Sequence, residues 1–249
     1  MISKNKLKEI RALERKKIRN EKRLFVAEGP KVVGDLMKVL SPRLLVHTAE
    51  WSQSKVDCEE IMVSEEDLRH ASFLQHPQEV LGVFPMFAEN TDPFPLQDIS
   101  FALDGVQDPG NLGTIIRIAD WFGIRRIYCS PETADVYNPK VVQATMGSLA
   151  RVRLYYTDLL QLVDSLPEDY PIYGTLLEGN NIYEEELSTN GLIVMGNEGN
   201  GISESLRRKV NRKLLIPCYQ TATTLPDSLN VAVATAVTVA EFRRRAFKK

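Results

Sequence analysis

The sequence is poor in the residues that announce metal or redox chemistry. Cysteine occurs only at positions 58, 129 and 218 and histidine only at 47, 70 and 76. Neither set has paired ligand spacing, which excludes a zinc-ribbon or disulfide scaffold and predicts no metal. The cysteines read as buried or half-buried free thiols of a cytoplasmic protein, and the histidines as structural or exposed. No apolar run has membrane-spanning length, and the chain opens on lysines instead of the apolar stretch of a signal peptide. Internal repeats and low-complexity segments are lacking. So are two common nucleotide fingerprints: Gly105, Gly110 and Gly113 do not fit G-x-G-x-x-G, and no lysine follows as in a phosphate-binding P-loop.

What is present is an ordinary globular composition over 249 residues, 43% hydrophobic and 26% charged, enough for a sizeable core. The net charge of −2 hides an asymmetry. Residues 1–23 hold ten Lys or Arg against three Glu, and residues 241–249 five against one, so the remaining body carries about −13. Basic ends on an acidic body suit a polyanionic partner, and equally suit two solvated helix ends.

Hydrophobic spacing predicts an exposed helix over 3–23, a strand over 24–27, a turn at Glu28-Gly29-Pro30 and a helix over 31–40. Short strands follow at 43–46, 60–63 and 80–87, with a helix start at Ser64. Residues 87–97, with prolines at 93 and 95, read as the linker between a domain at 1–90 and one at 98–249. Beyond it, strands at 99–103, 127–129, 152–155, 172–176, 192–195 and 214–216 alternate with helices at 111–122, 139–146 and 228–247. That alternation predicts a mostly parallel sheet covered on both faces.

Three clusters stand where such sheets bind ligands, at strand ends. Asp104 to Arg117 runs from a strand through a glycine-containing loop into a helix, whose exposed N–H groups favour a polar ligand. Asn111 reads as a helix cap or a site residue. Arg117 reads as a surface arginine or as a partner pointing to the same side. Met195-Gly196-Asn197-Glu198-Gly199-Asn200-Gly201 sets three glycines around a carboxylate, more than a turn needs, which suggests a held ligand. Ser228-Leu229-Asn230 opens the last helix, Ser228 as its cap, after Leu214-Leu215-Ile216-Pro217. Trp121 reads as core rather than as a base-stacking platform.

In order and spacing these clusters resemble the three motifs of the SpoU (TrmH-like) RNA 2′-O-ribose methyltransferases of the SPOUT class. Residues 25–30 and 78–83 are similar to the small ribosomal-protein-like RNA-binding domain that precedes many SpoU domains. The resemblance implies a knotted, mostly parallel α/β domain after a small α/β RNA-binding domain, and a homodimer whose site is shared between subunits. It implies Arg117, Asn111, Glu198, Ser228 and Asn230 as catalytic residues, and S-adenosylmethionine held against Thr175, Gly196, Ile216 and Leu229. Lys4, Lys6, Lys8, Arg11, Arg15 and Lys16 are then the expected RNA phosphate contacts, or a merely solvated helix face, and rRNA is preferred over tRNA. Arginine is effectively always protonated, so Arg117 is expected to hold phosphate and stabilise developing alkoxide charge, not to act as a base. One departure stands out. The family joins its Ile-Pro pair to Ser-Leu-Asn through a short glycine-containing segment, whereas residues 218–227 here are longer and lack glycine. An RNA-binding relative without catalysis is therefore the alternative. A small-molecule or dinucleotide-binding α/β protein is disfavoured by the missing fingerprints.

Overall fold

The computed structural model describes residues 2–52, 57–88, 93–219 and 228–246. The lengthened segment of the third cluster from residue 220 on, residues 89–92 of the linker, and Phe247, Lys248 and Lys249 of the basic tail lie outside them. The chain forms two compact units, Met1–Thr91 with Asp135–Ala150, and Asp92–Ala134 with Arg151–Lys249. The elements of the first part are α1 (Lys4–Ala12), α2 (Lys16–Lys22), β1 (Leu24–Glu28), α3 (Pro30–Met37), β2 (Leu44–His47), β3 (Glu59–Met62), α4 (Glu65–Ala71) and β4 (Val80–Pro85). There follow β5 (Ile99–Leu103), α5 (Pro109–Trp121), β6 (Arg126–Cys129), α6 (Pro139–Ala144) and β7 (Arg153–Tyr156). The remainder is α7 (Leu159–Asp164), β8 (Ile172–Asn181), β9 (Gly191–Met195), α8 (Glu204–Arg207), β10 (Arg212–Leu215) and α9 (Val231–Ala246).

In the first unit four strands pair in the order β1-β4-β2-β3, antiparallel except for β2 with β3. Ile10, Leu13, Val26, Val46, Leu68 and Leu81 form one apolar cluster. The single helix expected over 3–23 is two. Arg15 is extended, and the carbonyls of Leu13 and Glu14 freed by the break accept from the Arg19 guanidinium at 2.9 and 2.6 Å. Arg19 is only 2% exposed and also pairs with Asp135. A buried cation with several partners explains why an apparently solvated charge run contains a core position. Residues 135–150 complete this unit, with α6 packed on β1.

The second unit carries a six-stranded sheet, β10-β8-β9-β5-β6-β7, parallel throughout, as the β/α alternation predicts. From β5 the chain builds outward to β6 and β7, and the other half lies beyond β9. The order therefore reverses between β5 and β9, and ligands of open α/β sheets bind outside the carboxyl ends at such a point. Ala102, Leu192, Val194, Ile202 and Leu206 belong to the apolar cluster on this sheet. Helix α9 packs alongside α5. It starts at Val231, three residues later than its pattern suggests. Among the described residues no helix is long and apolar enough to cross a membrane, and no group of three or more His, Cys, Asp or Glu could hold a metal ion.

Candidate active site

The first two clusters meet at the carboxyl ends of β5 and β9, whose last residues Leu103 and Met195 are register partners. The Asp104 amide donates to the Met195 carbonyl at 2.9 Å, and Asp104 Oδ2 accepts from the Ser203 amide at 2.7 Å. Asn197 organises the glycine loop. Its Oδ1 accepts from the amides of Gly199 and Asn200, its Nδ2 donates to the Gly105 carbonyl at 2.7 Å, and its backbone bridges Gly201. Two of the glycines then have structural reasons. A Cβ on Gly196 would lie 2.2 Å from the Gly201 carbonyl carbon, and Gly201 has φ +69°. Both reasons lie in the packing of the loop itself and are compatible with a ligand held there. Asn197, named in that cluster, was given no role of its own in the sequence, although an Asn between glycines is the ordinary signal of an Asx turn.

The cap of α5 is Asp108, whose Oδ1 accepts from the Asn111 amide at 2.7 Å. Asn111 thus sits in the first turn with its side chain available. The cap of α9 is Asn230, not Ser228: Asn230 Oδ1 accepts from the amides of Ala232 (3.0 Å) and Val233 (3.2 Å). Capping fixes which end of the Asn230 amide is free, so Nδ2 must donate outward, and it does, to Asn111 Oδ1 at 2.9 Å. Asn111 Nδ2 in turn donates to Glu198 Oε1 at 3.0 Å. A directional chain Asn230→Asn111→Glu198 therefore joins one residue of each cluster at one place and ends on a carboxylate.

Arg117 does not join that chain. Six residues turn the helix by 600°, leaving it about 120° from Asn111 around the axis, so the two cannot point to the same side as expected. Arg117 is exposed, its side chain without a hydrogen bond or ion pair among the described residues, and it shares its stripe with Gly110, Thr114 and Trp121. Trp121 is 85% exposed, so it is not core. Ser228 and Leu229 are exposed just ahead of the Asn230 cap.

The residues expected around the cofactor occupy the adjoining half of the same sheet edge. Gly196 follows β9, Ile216 follows β10, and Thr175 stands on β8 where the pairing with β10 jumps from Gly174 to Asn180. Thr175 Oγ1 donates to Met195 Sδ at 3.7 Å. Ile216 is half-buried, and Leu229 and Leu177 are 51% and 76% exposed. Uncovered apolar side chains beside a loop rich in backbone polar groups fit a ligand with an aromatic base and a polar tail.

Of the six basic residues expected to meet RNA, all in the first unit, two have protein partners. Lys6 pairs with Glu59 at 2.8 Å, and Arg11 donates to the Ser72 carbonyl and lies over the Phe73 ring. Lys4, Lys8, Arg15 and Lys16 are exposed. Of the thiols, Cys129 is buried and Cys58 half-buried, but Cys218 is exposed, against expectation.

A family model described as the SpoU rRNA methylase family matches residues 98–240, and one described as an MRM3-like substrate binding domain matches residues 4–82. The chain is 32% identical to the 23S rRNA (guanosine(2553)-2′-O)-methyltransferase of Bacillus subtilis, over 96% of each chain. Among solved structures, a TrmH-family protein of Porphyromonas gingivalis superposes with a TM-score of 0.88 at 38% identity, covering 98% of this chain and 99% of that one. The AdoMet-bound rRNA methyltransferase of Sinorhizobium meliloti gives 0.82 at 30% identity, covering 98% and 96%. With its three motifs folded onto one sheet edge and a match over more than half its length, the chain belongs to the SpoU rRNA methylase family.

Proposed function

We propose that this protein transfers a methyl group to a ribose 2′-hydroxyl of ribosomal RNA. The observation that carries the reading is the Asn230→Asn111→Glu198 chain, which draws one residue from each motif to one point. S-adenosylmethionine, bound against Thr175, Gly196, Ile216 and Leu229, supplies an electrophilic methyl on a sulfonium. Gly196 keeps the loop low beside that edge because no Cβ fits there. The chain's own task is mainly positioning, which supplies much of the rate of a displacement. The two asparagines hold the Glu198 carboxylate in one orientation, where it accepts a hydrogen bond from the ribose. Ser228 adds a hydroxyl at the same helix start. Arg117 holds the neighbouring phosphate bidentately and offsets charge developing on the ribose oxygen.

Arg117 reaches a reacting ribose only if it comes from a second copy. Its place on the outward face of α5, with the exposed Trp121 and with Val233 exposed on the adjacent α9, supports a homodimer with a composite site. The first unit then binds the RNA substrate, with Lys4, Lys8, Arg15 and Lys16 as its free phosphate contacts and Lys6 and Arg11 partly committed to the fold. The division into an RNA-binding domain at 1–90 and a catalytic domain at 98–249, the C-terminal knot and a cytoplasmic location belong to the same reading.

Two measurements test it. Calorimetry should give micromolar binding of S-adenosylmethionine, with S-adenosylhomocysteine binding as well. Labelled methyl transfer to protein-free 23S rRNA should occur and stop with Asn111→Ala. Folded protein that binds neither ligand overturns the reading in favour of an RNA-binding relative without catalysis.

A further inference from the structure

The amino end of the parallel sheet, opposite the methyl-transfer edge, holds a cavity of about 520 Å³. It lies within the second unit, where the chain enters β5, β6 and β9 and where α9 passes. Its wall includes Arg125, Arg126, Arg243, Thr189, Ser100 and Asp98. Among the described residues the wall carries three guanidiniums and one carboxylate, in a body that is otherwise acidic.

The arginines are held differently. Arg243 is fixed by donation from Nε to the Phe122 carbonyl at 2.8 Å, which leaves its terminal nitrogens for another acceptor. Arg126 donates to the Pro93 carbonyl at 2.6 Å. Arg125 is exposed, and its side chain has no hydrogen bond or ion pair among the described residues. Among the described residues neither Arg125 nor Arg243 meets a carboxylate, so these two charges are not paired there. A guanidinium fork in that condition matches phosphate oxygens. A second, separate observation concerns Ser100, which is 0% exposed and whose hydroxyl has no hydrogen-bond partner among the described residues. Such a buried group is costly unless something satisfies it. Asp98 forms no ion pair among the described residues and adds an acceptor to the wall, which a bare phosphate would not use but a ribose hydroxyl or base N–H would.

We infer that this cavity is a second ligand site, for a nucleotide. Arg125 and Arg243 take the phosphate, Thr189 adds a hydroxyl donor, and Asp98 accepts from the sugar or base. The volume falls within the range of small-molecule sites and accommodates one nucleotide unit. It lies about 17 Å from the methyl-transfer edge, the length of the five-residue β5. The unit is either one residue of a bound RNA strand or a free nucleotide. The inference does not depend on methyl transfer, since it concerns binding at the opposite end of the sheet.

The test measures binding of uridine 5′-monophosphate, uridine and a mixed-sequence single-stranded RNA hexamer to the full-length protein and to Arg125→Glu. Arg125 lies outside the catalytic cluster, and melting temperature and S-adenosylmethionine binding check that the variant is intact. The monophosphate should bind, uridine should bind far more weakly, and Arg125→Glu should weaken the monophosphate about tenfold or more, with Arg125→Lys falling between the two. Loss confined to the monophosphate assigns the site to free nucleotides. Loss confined to the hexamer assigns it to an RNA strand. Unchanged binding of both by an intact Arg125→Glu protein overturns the inference, and should that variant fail to fold, Arg125→Gln and Thr189→Val are read in the same way.

Discussion

Asn230 does two separable things with one side chain. Its oxygen caps α9 and its nitrogen orients Asn111, so substitutions can divide stability from chemistry. Asn230→Asp keeps the capping acceptor but turns the donor into an acceptor, which forces the Asn111 amide to flip and present its oxygen to Glu198. The expected result is an unchanged melting temperature with methyl transfer down about tenfold or more, the worth of one hydrogen bond to a charged group. Asn230→Ala should also lose about 1 kcal/mol of stability with the cap. Equal stability losses in both variants would show that the residue is only structural. Arg117 offers a second residue-level contrast. Arg117→Lys keeps the charge but not the planar fork, and turnover should fall clearly; near-normal turnover would remove the bidentate role. Glu198 and Asn111 were pointed to by resemblance to the family's motifs. The direction of the hydrogen bonds was not, because it depends on which end of the Asn230 amide the helix start uses.

Elements show the same division. The glycines of the β9–α8 loop look equivalent in sequence and are not. A Cβ at 196 meets backbone at 2.2 Å, whereas one at 199 meets only Asn197 Oδ1 at 3.5 Å. Gly196→Ala should cost about 2–3 kcal/mol by overpacking, and Gly199→Ala about 0.5 kcal/mol or less, measured by denaturant unfolding. The C-terminal turn of α9 supplies a pH test. Glu241 is buried, and its hydrogen bonds from Arg244, then from Arg245, bring its carboxyl down to about 2 from the usual 4.5. A carboxylate shifted down in the folded state stabilises fully above its unfolded value and loses that contribution as pH falls. The stability gap between the protein and Glu241→Gln should therefore be constant near neutrality and close between pH 4.5 and about 2. A gap that persists at the acid end would mean that packing, not charge, accounts for the residue. Arg245 also donates to the carbonyls of Ile182 and Tyr183, so this turn anchors the helix end. Nothing in the spacing of Glu241, Arg244 and Arg245 distinguishes that anchor from a solvated charge run.

For the whole molecule, the testable quantity is assembly. If the exposed face of α5 is an interface, Trp121→Glu should convert a dimer into a monomer in light scattering and abolish methyl transfer while S-adenosylmethionine still binds. A wild-type monomer with full activity would remove the composite site. Hydrophobic period and turn residues determined by themselves that the second half is an α/β unit with parallel strands, because local pattern specifies which segments are strands and which are helices. Resemblance to the family's motifs, not the spacing alone, pointed to Asn111, Asn230 and Glu198. Only tertiary structure decided that α1 and α2 part so that Arg19 can be buried on Asp135, and that residues 135–150 complete the first unit. Both rest on contacts between residues far apart in the chain, which the local pattern of polar and apolar residues does not carry.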